Sequence, residues 1–89
     1  MNDVPSNSIL VFDSIHHVLT AERAFHERGL WCDLVPTPRS IHSDCGMVIE
    51  FQASDRPRVV QLVQALPRKP RAMYESSPEG YRQVALGVD

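Results

Sequence analysis

Residues 9–29 read ILVFDSIHHVLTAERAFHERG, and the fold depends on how this stretch divides. Its first four residues, Ile9, Leu10, Val11 and Phe12, are apolar on both faces and rich in strand-forming types. They predict a short central strand with neighbours on both sides. Asp13 and Ser14 follow, and a serine here caps a helix by accepting a backbone N–H of the first turn. From there Ile15, Val18, Leu19, Ala21 and Phe25 recur mainly on one side at about 100° per residue. Gly29 is the stop signal. The stretch therefore reads as a strand that turns directly into an amphipathic helix over residues 15–28.

Working outward, residues 30–35 carry Trp31, Leu34 and Val35 and close on Pro36, which suits the end of a second strand. Residues 47–52 alternate, Val48 and Glu50 opposed to Met47, Ile49 and Phe51, as a half-buried third strand should. A second helix starts near Ser54 or Asp55 and tolerates Pro57 in its first turn. It gathers Val59, Val60, Leu62, Val63 and Leu66 in one arc before Pro67. Residues 71–76 make a fourth strand. The order β-α-β-β-α-β predicts an α+β, ferredoxin-like fold, an antiparallel four-stranded sheet with two helices on one face. Right-handed crossovers place strand three between strands one and two, and strand four on the other side of strand one. The polar residues 1–8, with Pro5 among them, read as a flexible N-terminus. Residues 9–77 form the single domain, and residues 78–89 a C-terminal extension in which Tyr81, Val84 and Leu86 could pack.

The composition bounds the function. At 89 residues, 43% hydrophobic and 22% charged, the chain holds one domain. A core this small leans on tight packing or on a partner subunit, so a homodimer is within expectation. Nine Lys and Arg against eleven Asp and Glu leave a formal charge of −2. That balance argues against the phosphate grip behind nucleic-acid affinity. No run approaches the ~20 apolar residues of a membrane helix, and residues 1–8 lack the basic and apolar regions of a signal peptide. The expectation is a soluble cytoplasmic protein whose two cysteines, Cys32 and Cys45, stay reduced.

A free thiol is either a packing residue or a reagent, and the loop over residues 36–46 bears on which. It has no periodicity, it is long for so small a domain, and Pro36 and Pro38 stiffen its entry. The expected topology collects Ser14, His16, His17, Arg39, His42, Asp44, Cys45, Arg68, Lys69 and Arg71 at one end of the sheet. A helix N-terminus, cationic neighbours and partial exposure favour a thiolate, and Cys45 would have access to all three. Gly46 permits a turn that aims amides inward as an anion cradle. Cys32 alternates with Trp31 in a strand and reads as a packing residue. Glu22 falls inside the apolar arc of the first helix, where an unpaired carboxylate is costly. It needs a partner, as a rim ion pair or as a proton acceptor and positioning group. Arg68, Lys69 and Arg71 form a basic edge, either solvated or docking an acidic patch or small anion. The spacing supports neither metal nor cofactor. There is no Cys-x-x-Cys or His-x-x-x-His, His16 and His17 point about 100° apart on a helix, and the four glycines are scattered. No Gly-x-Ser-x-Gly elbow occurs.

Three pieces of the chain, Ser14-Ile15-His16-His17-Val18-Leu19-Thr20-Ala21-Glu22-Arg23, Leu34-Val35-Pro36-Thr37-Pro38-Arg39 and Ser43-Asp44-Cys45-Gly46-Met47, resemble a small bacterial family known as Se/S carrier protein-like, formerly a domain of unknown function. The family pattern is Ser-Thr-His-x-Ala-x-x-Ala-Glu, then Ile-Pro-x-Pro-Arg, then Ser-x-Cys-Gly. The resemblance covers residues 9 to about 74. It implies a carrier of sulfur or selenium, held as a persulfide or selenosulfide on Cys45 and relayed between donor and acceptor proteins. The positions carried over are His16, Glu22, Pro36, Pro38, Arg39, Cys45 and Gly46. The sequence departs from the pattern at Ile15, where Thr is common, and at His17 and Val18. On this reading Arg39 stabilises the thiolate or an incoming oxyanion such as thiosulfate, amides near Gly46 share that task, and the basic edge steers a partner. The protein would be an accessory carrier rather than a turnover enzyme. The competing reading is a non-catalytic ferredoxin-like module that binds a small ligand or regulates a partner.

Overall fold

The computed structural model describes residues 7–41 and 45–86. Strand β1, Asn7–Val11, takes in Asn7 and Ser8, expected in a flexible N-terminus, and ends one residue before Phe12; its apolar part lies at the centre of a sheet because both of its faces need cover. It pairs antiparallel with β3, Met47–Gln52, on one side and with β4, Ala72–Ser77, on the other. Beyond β3 lies β2, Cys32–Pro36, and beyond β4 lies β5, Gly80–Val84, so the order is β2-β3-β1-β4-β5. The first four strands take the expected neighbour relations. The sheet nevertheless has five strands rather than four, which corrects the four-stranded expectation.

The fifth strand exists because Pro78 and Glu79 make a tight hairpin turn in place of a chain end. Ser77 and Gly80 face each other across it, and the Ser77 hydroxyl donates to the Gly80 carbonyl at 2.8 Å. Across the hairpin Arg82 and, from the start of the second helix, Arg56 both grip Glu75. The paired guanidinium groups, Arg82 first, hold the Glu75 carboxyl below its ordinary range.

Helix α1, Ile15–Glu27, begins where Ser14 accepts the His17 backbone N–H at 3.3 Å. It ends in a paired terminal motif: Gly29 N–H donates to the His26 carbonyl, and Leu30 N–H to that of Phe25, each at 3.0 Å. That geometry needs the left-handed backbone of Gly29, φ +74°. Leu30, expected in the second strand, is spent on this stop, buried with Phe25. Helix α2, Arg56–Gln64, follows a single 3-10 turn, Ala53–Asp55, and admits Pro57 in its first turn, where the missing N–H has no partner to lose.

Both helices cover the same face. Val18, Ala21 and Phe25 of α1 and Val59 and Val63 of α2 pack with Leu10, Phe12, Ile49, Phe51 and Met73 into one buried cluster. Each large side chain so buried contributes about 1.5–3 kcal/mol. On the opposite face Ile9, Val11, Val48 and Ala72 are also buried, though among the described residues no helix lies there. Ile41 covers them, brought back from the loop after β2. The long loop thus closes the second core as well as carrying Cys45. Among the described residues, no helix is long and apolar enough to cross a membrane.

Candidate functional site

The topology does gather one end of the sheet. With Leu10 opposite Ile49, the β1–β3 register carries Met47 to the level of Phe12, next to the chain that enters α1. On the other side Arg71 N–H donates to the Val11 carbonyl at 2.6 Å, so the segment before β4 reaches the same level. The start of α1, the described parts of the loop, residues 36–41 and 45–46, and the chain entering β4 therefore share that end.

The loop leaves the sheet at Pro36 and returns at Met47, which lie opposite each other. Its stems are tied one step further out, where Thr37 N–H donates to the Gly46 carbonyl at 3.1 Å. Gly46 takes φ +81°, a backbone that other residues adopt only under strain, and this turns the chain from Cys45 into β3. Pro38 accepts the Ile41 N–H at 3.0 Å through its carbonyl, so Arg39 and Ser40 lie in a turn between two anchors. Arg39 is exposed on that turn. Asp44, expected to support the thiol, and His42 lie outside the described residues.

The two cysteines differ in kind. Cys45 is partly buried and packs its side chain against the helix-face cluster while keeping some exposure. Cys32 is 6% exposed within that cluster. Burial first, then the carboxylates of Glu22 and Asp33, push its thiol up to about 11. Glu22 thus acts on Cys32, which begins β2, whereas the loop with Cys45 departs from the other end of that strand. His26 reinforces this second location, its ring nitrogen donating to the Cys32 carbonyl at 3.3 Å. That bond occupies a carbonyl on the outer edge of β2, and Pro36 on the same edge has no N–H to offer, so the strand is a poor template for further pairing.

The three basic residues have different fates. The Lys69 ammonium donates to the carbonyls of Gln64 and Leu66, at 3.0 and 3.1 Å, and so closes the C-terminal end of α2. Arg71 faces Asp13 across 3.9 Å in an exposed pair worth little to stability. Arg68 makes no hydrogen bond or ion pair with a described residue, and it lines a cavity of about 240 Å³ together with His16, His17 and Thr20. Ala21, Leu66 and Pro67 complete its lining. His16, His17 and Arg68 are expected from the topology at one end of the sheet, and in the structure they line one cavity with Thr20. Thr20 was legible only as a neighbour of His16 on one helix, since nothing local says that residues 66–68 pass in front of it. Among the described residues, no group of three or more His, Cys, Asp or Glu is placed to hold a metal ion.

Comparison of the sequence with known families gives a match. The family model described as "Putative Se/S carrier protein-like" matches residues 7–75, from the first residue of β1 into β4. No curated protein and no solved structure matches the chain.

Proposed function

This chain belongs to the Se/S carrier protein-like family, and from that premise we propose that it carries sulfur or selenium on Cys45 and relays it from a donor protein to an acceptor. The observation that carries the reading is the contrast between the two thiols. Cys32 is sealed in the core with its proton held to about pH 11, while Cys45 keeps partial exposure on a loop anchored at both stems. A carrier needs a thiol that can meet two partner proteins in turn, and it needs no deep pocket.

In the loading step the Cys45 thiolate attacks the terminal sulfur of a donor persulfide, R–S–SH. The donor S–S bond breaks, the donor leaves as its thiolate, and Cys45 bears the S–SH group, with no net oxidation. Selenium follows the same path as a selenosulfide. Arg39, exposed on the same loop, offers charge-assisted hydrogen bonds to the anion in transit, and Gly46 sets the backbone turn beside it. Pro36 and Pro38 stiffen the loop entry. The relay works in the reducing cytoplasm, where an unloaded thiol stays available.

The test is intact-mass measurement after the reduced protein meets a persulfide donor. Wild type and Cys32→Ser gain one sulfur atom, and Cys45→Ser gains none. Equal loading of wild type and Cys45→Ser overturns the reading.

A further inference from the structure

We propose that the cavity between the first two turns of α1 and residues 66–68 is a binding site for a small divalent oxyanion of the phosphate or thiosulfate type. The site is separate from sulfur carriage on Cys45 and does not require it.

The first argument is the use of the basic residues. Lys69 and Arg71 are engaged within the fold, Lys69 by two carbonyls and Arg71 by Asp13. Arg68, between α2 and β4, has no partner among the described residues and lines the cavity. A guanidinium offers a fork of donors matched to a tetrahedral oxyanion, and it stays charged at any pH of interest.

The second argument is what surrounds it. His16 and His17 stand with ring centroids 6.1 Å apart, edge toward face, and both line the same space. Neither ring has a hydrogen bond to a described residue, so their N–H groups remain to be used by a ligand. Thr20 donates its hydroxyl proton to the His16 carbonyl at 3.0 Å, which ties the second turn of the helix back to the first. Among the described residues no carboxylate lines the cavity, so none of them repels an anion or competes for Arg68. The rings stand at the N-terminal end of α1, where the peptide dipoles favour negative charge.

The third argument is the rest of the lining. Ala21, Leu66 and Pro67 are apolar, one from α1 and two from the facing segment. Apolar neighbours strengthen charge-assisted bonds made beside them. The volume of about 240 Å³ exceeds the needs of a bare tetrahedral anion, leaving room for its waters or for a small group attached to it.

The experiment is an amide NMR titration of the reduced, full-length protein with sodium thiosulfate and, separately, with inorganic phosphate. Sodium chloride at matched ionic strength is the control. Saturable shifts centred on residues 16, 17, 20 and 66–68 are expected with at least one of the two oxyanions. The tighter of the two then distinguishes a sulfur oxyanion from a phosphate compound. Arg68→Ala, an exposed position whose change leaves the rest of the spectrum intact, weakens binding about tenfold or more, and His17→Ala weakens it several-fold. Cys45→Ser binds as wild type does, so failure of the sulfur-loading test leaves this result standing, and the reverse holds too. Shifts that chloride reproduces, shifts centred elsewhere, or an Arg68→Ala affinity within twofold of wild type overturn the proposal.

Discussion

Replacing Cys45 with serine leaves Cys32 as the sole thiol, and its reactivity follows from its surroundings. Cys32 is 6% exposed, and its thiol is pushed from an ordinary 9.0 up to about 11 by burial and then by Glu22 and Asp33. The thiolate is the reacting form. At about pH 8 roughly one thiol in ten is ionised when the pKa is ordinary, and roughly one in a thousand when it is near 11, so ionisation alone slows alkylation about a hundredfold. Limited access slows it further. The assay is iodoacetamide labelling followed by mass, with the same variant in denaturant as the reference. Glu22→Gln recovers only a small part of the rate, because burial is the larger cause. A sign follows for stability. Between pH 9.0 and about 11 the folded protein keeps the Cys32 proton that the unfolded chain has lost. This contribution is complete below the unfolded value and is lost as pH rises through the folded one, at most roughly 2–3 kcal/mol. Native labelling of Cys45→Ser within tenfold of its denatured rate would refute the reasoning, and with it the claim that sulfur found on the native chain resides on Cys45.

Two further outcomes follow from the packing and the charges. Ile41→Ala uncovers Ile9, Val11, Val48 and Ala72 on the face without helices. It costs about 2 kcal/mol in denaturant unfolding, the low end for such a truncation because a loop can settle into the space, and a loss under about 0.5 kcal/mol would show that the loop does not cover this face. Glu75 has its carboxyl lowered from an ordinary 4.5 by Arg82 and Arg56, so its contribution is present above the unfolded value and fades as pH falls through the lower folded one. Glu75→Gln therefore flattens the acid limb of thermal stability between about pH 6 and about pH 3, and parallel limbs in the two proteins would remove the assignment.

Much of the architecture is legible residue by residue. The run from Ile9 to Phe12 declares a central strand, Ser14 a cap, and Gly29 a stop, because each acts through its own backbone or its nearest neighbours. The alternation over Met47–Gln52 gives β3 with the bounds expected for it. β5 falls in the stretch read as a C-terminal extension, because Arg82 and Gln83 are exposed residues whose strand state depends on β4 beside them. The basic residues 68, 69 and 71 look alike in the chain. Only their position against the end of α2, against Asp13 and against His16 and His17 gives them three different roles.

The sequence by itself determined the order of the elements from β1 to β4, the family and the pair of thiols, since these rest on local periodicity and on motif residues that need no knowledge of distant neighbours. The tertiary structure alone decided how far Cys32 is sealed, what Glu22 acts upon, why Ile41 holds the loop and which of the three basic residues 68, 69 and 71 has no partner among the described residues. Each of those depends on burial and on distances between segments far apart in the chain, and no spacing along the chain encodes them.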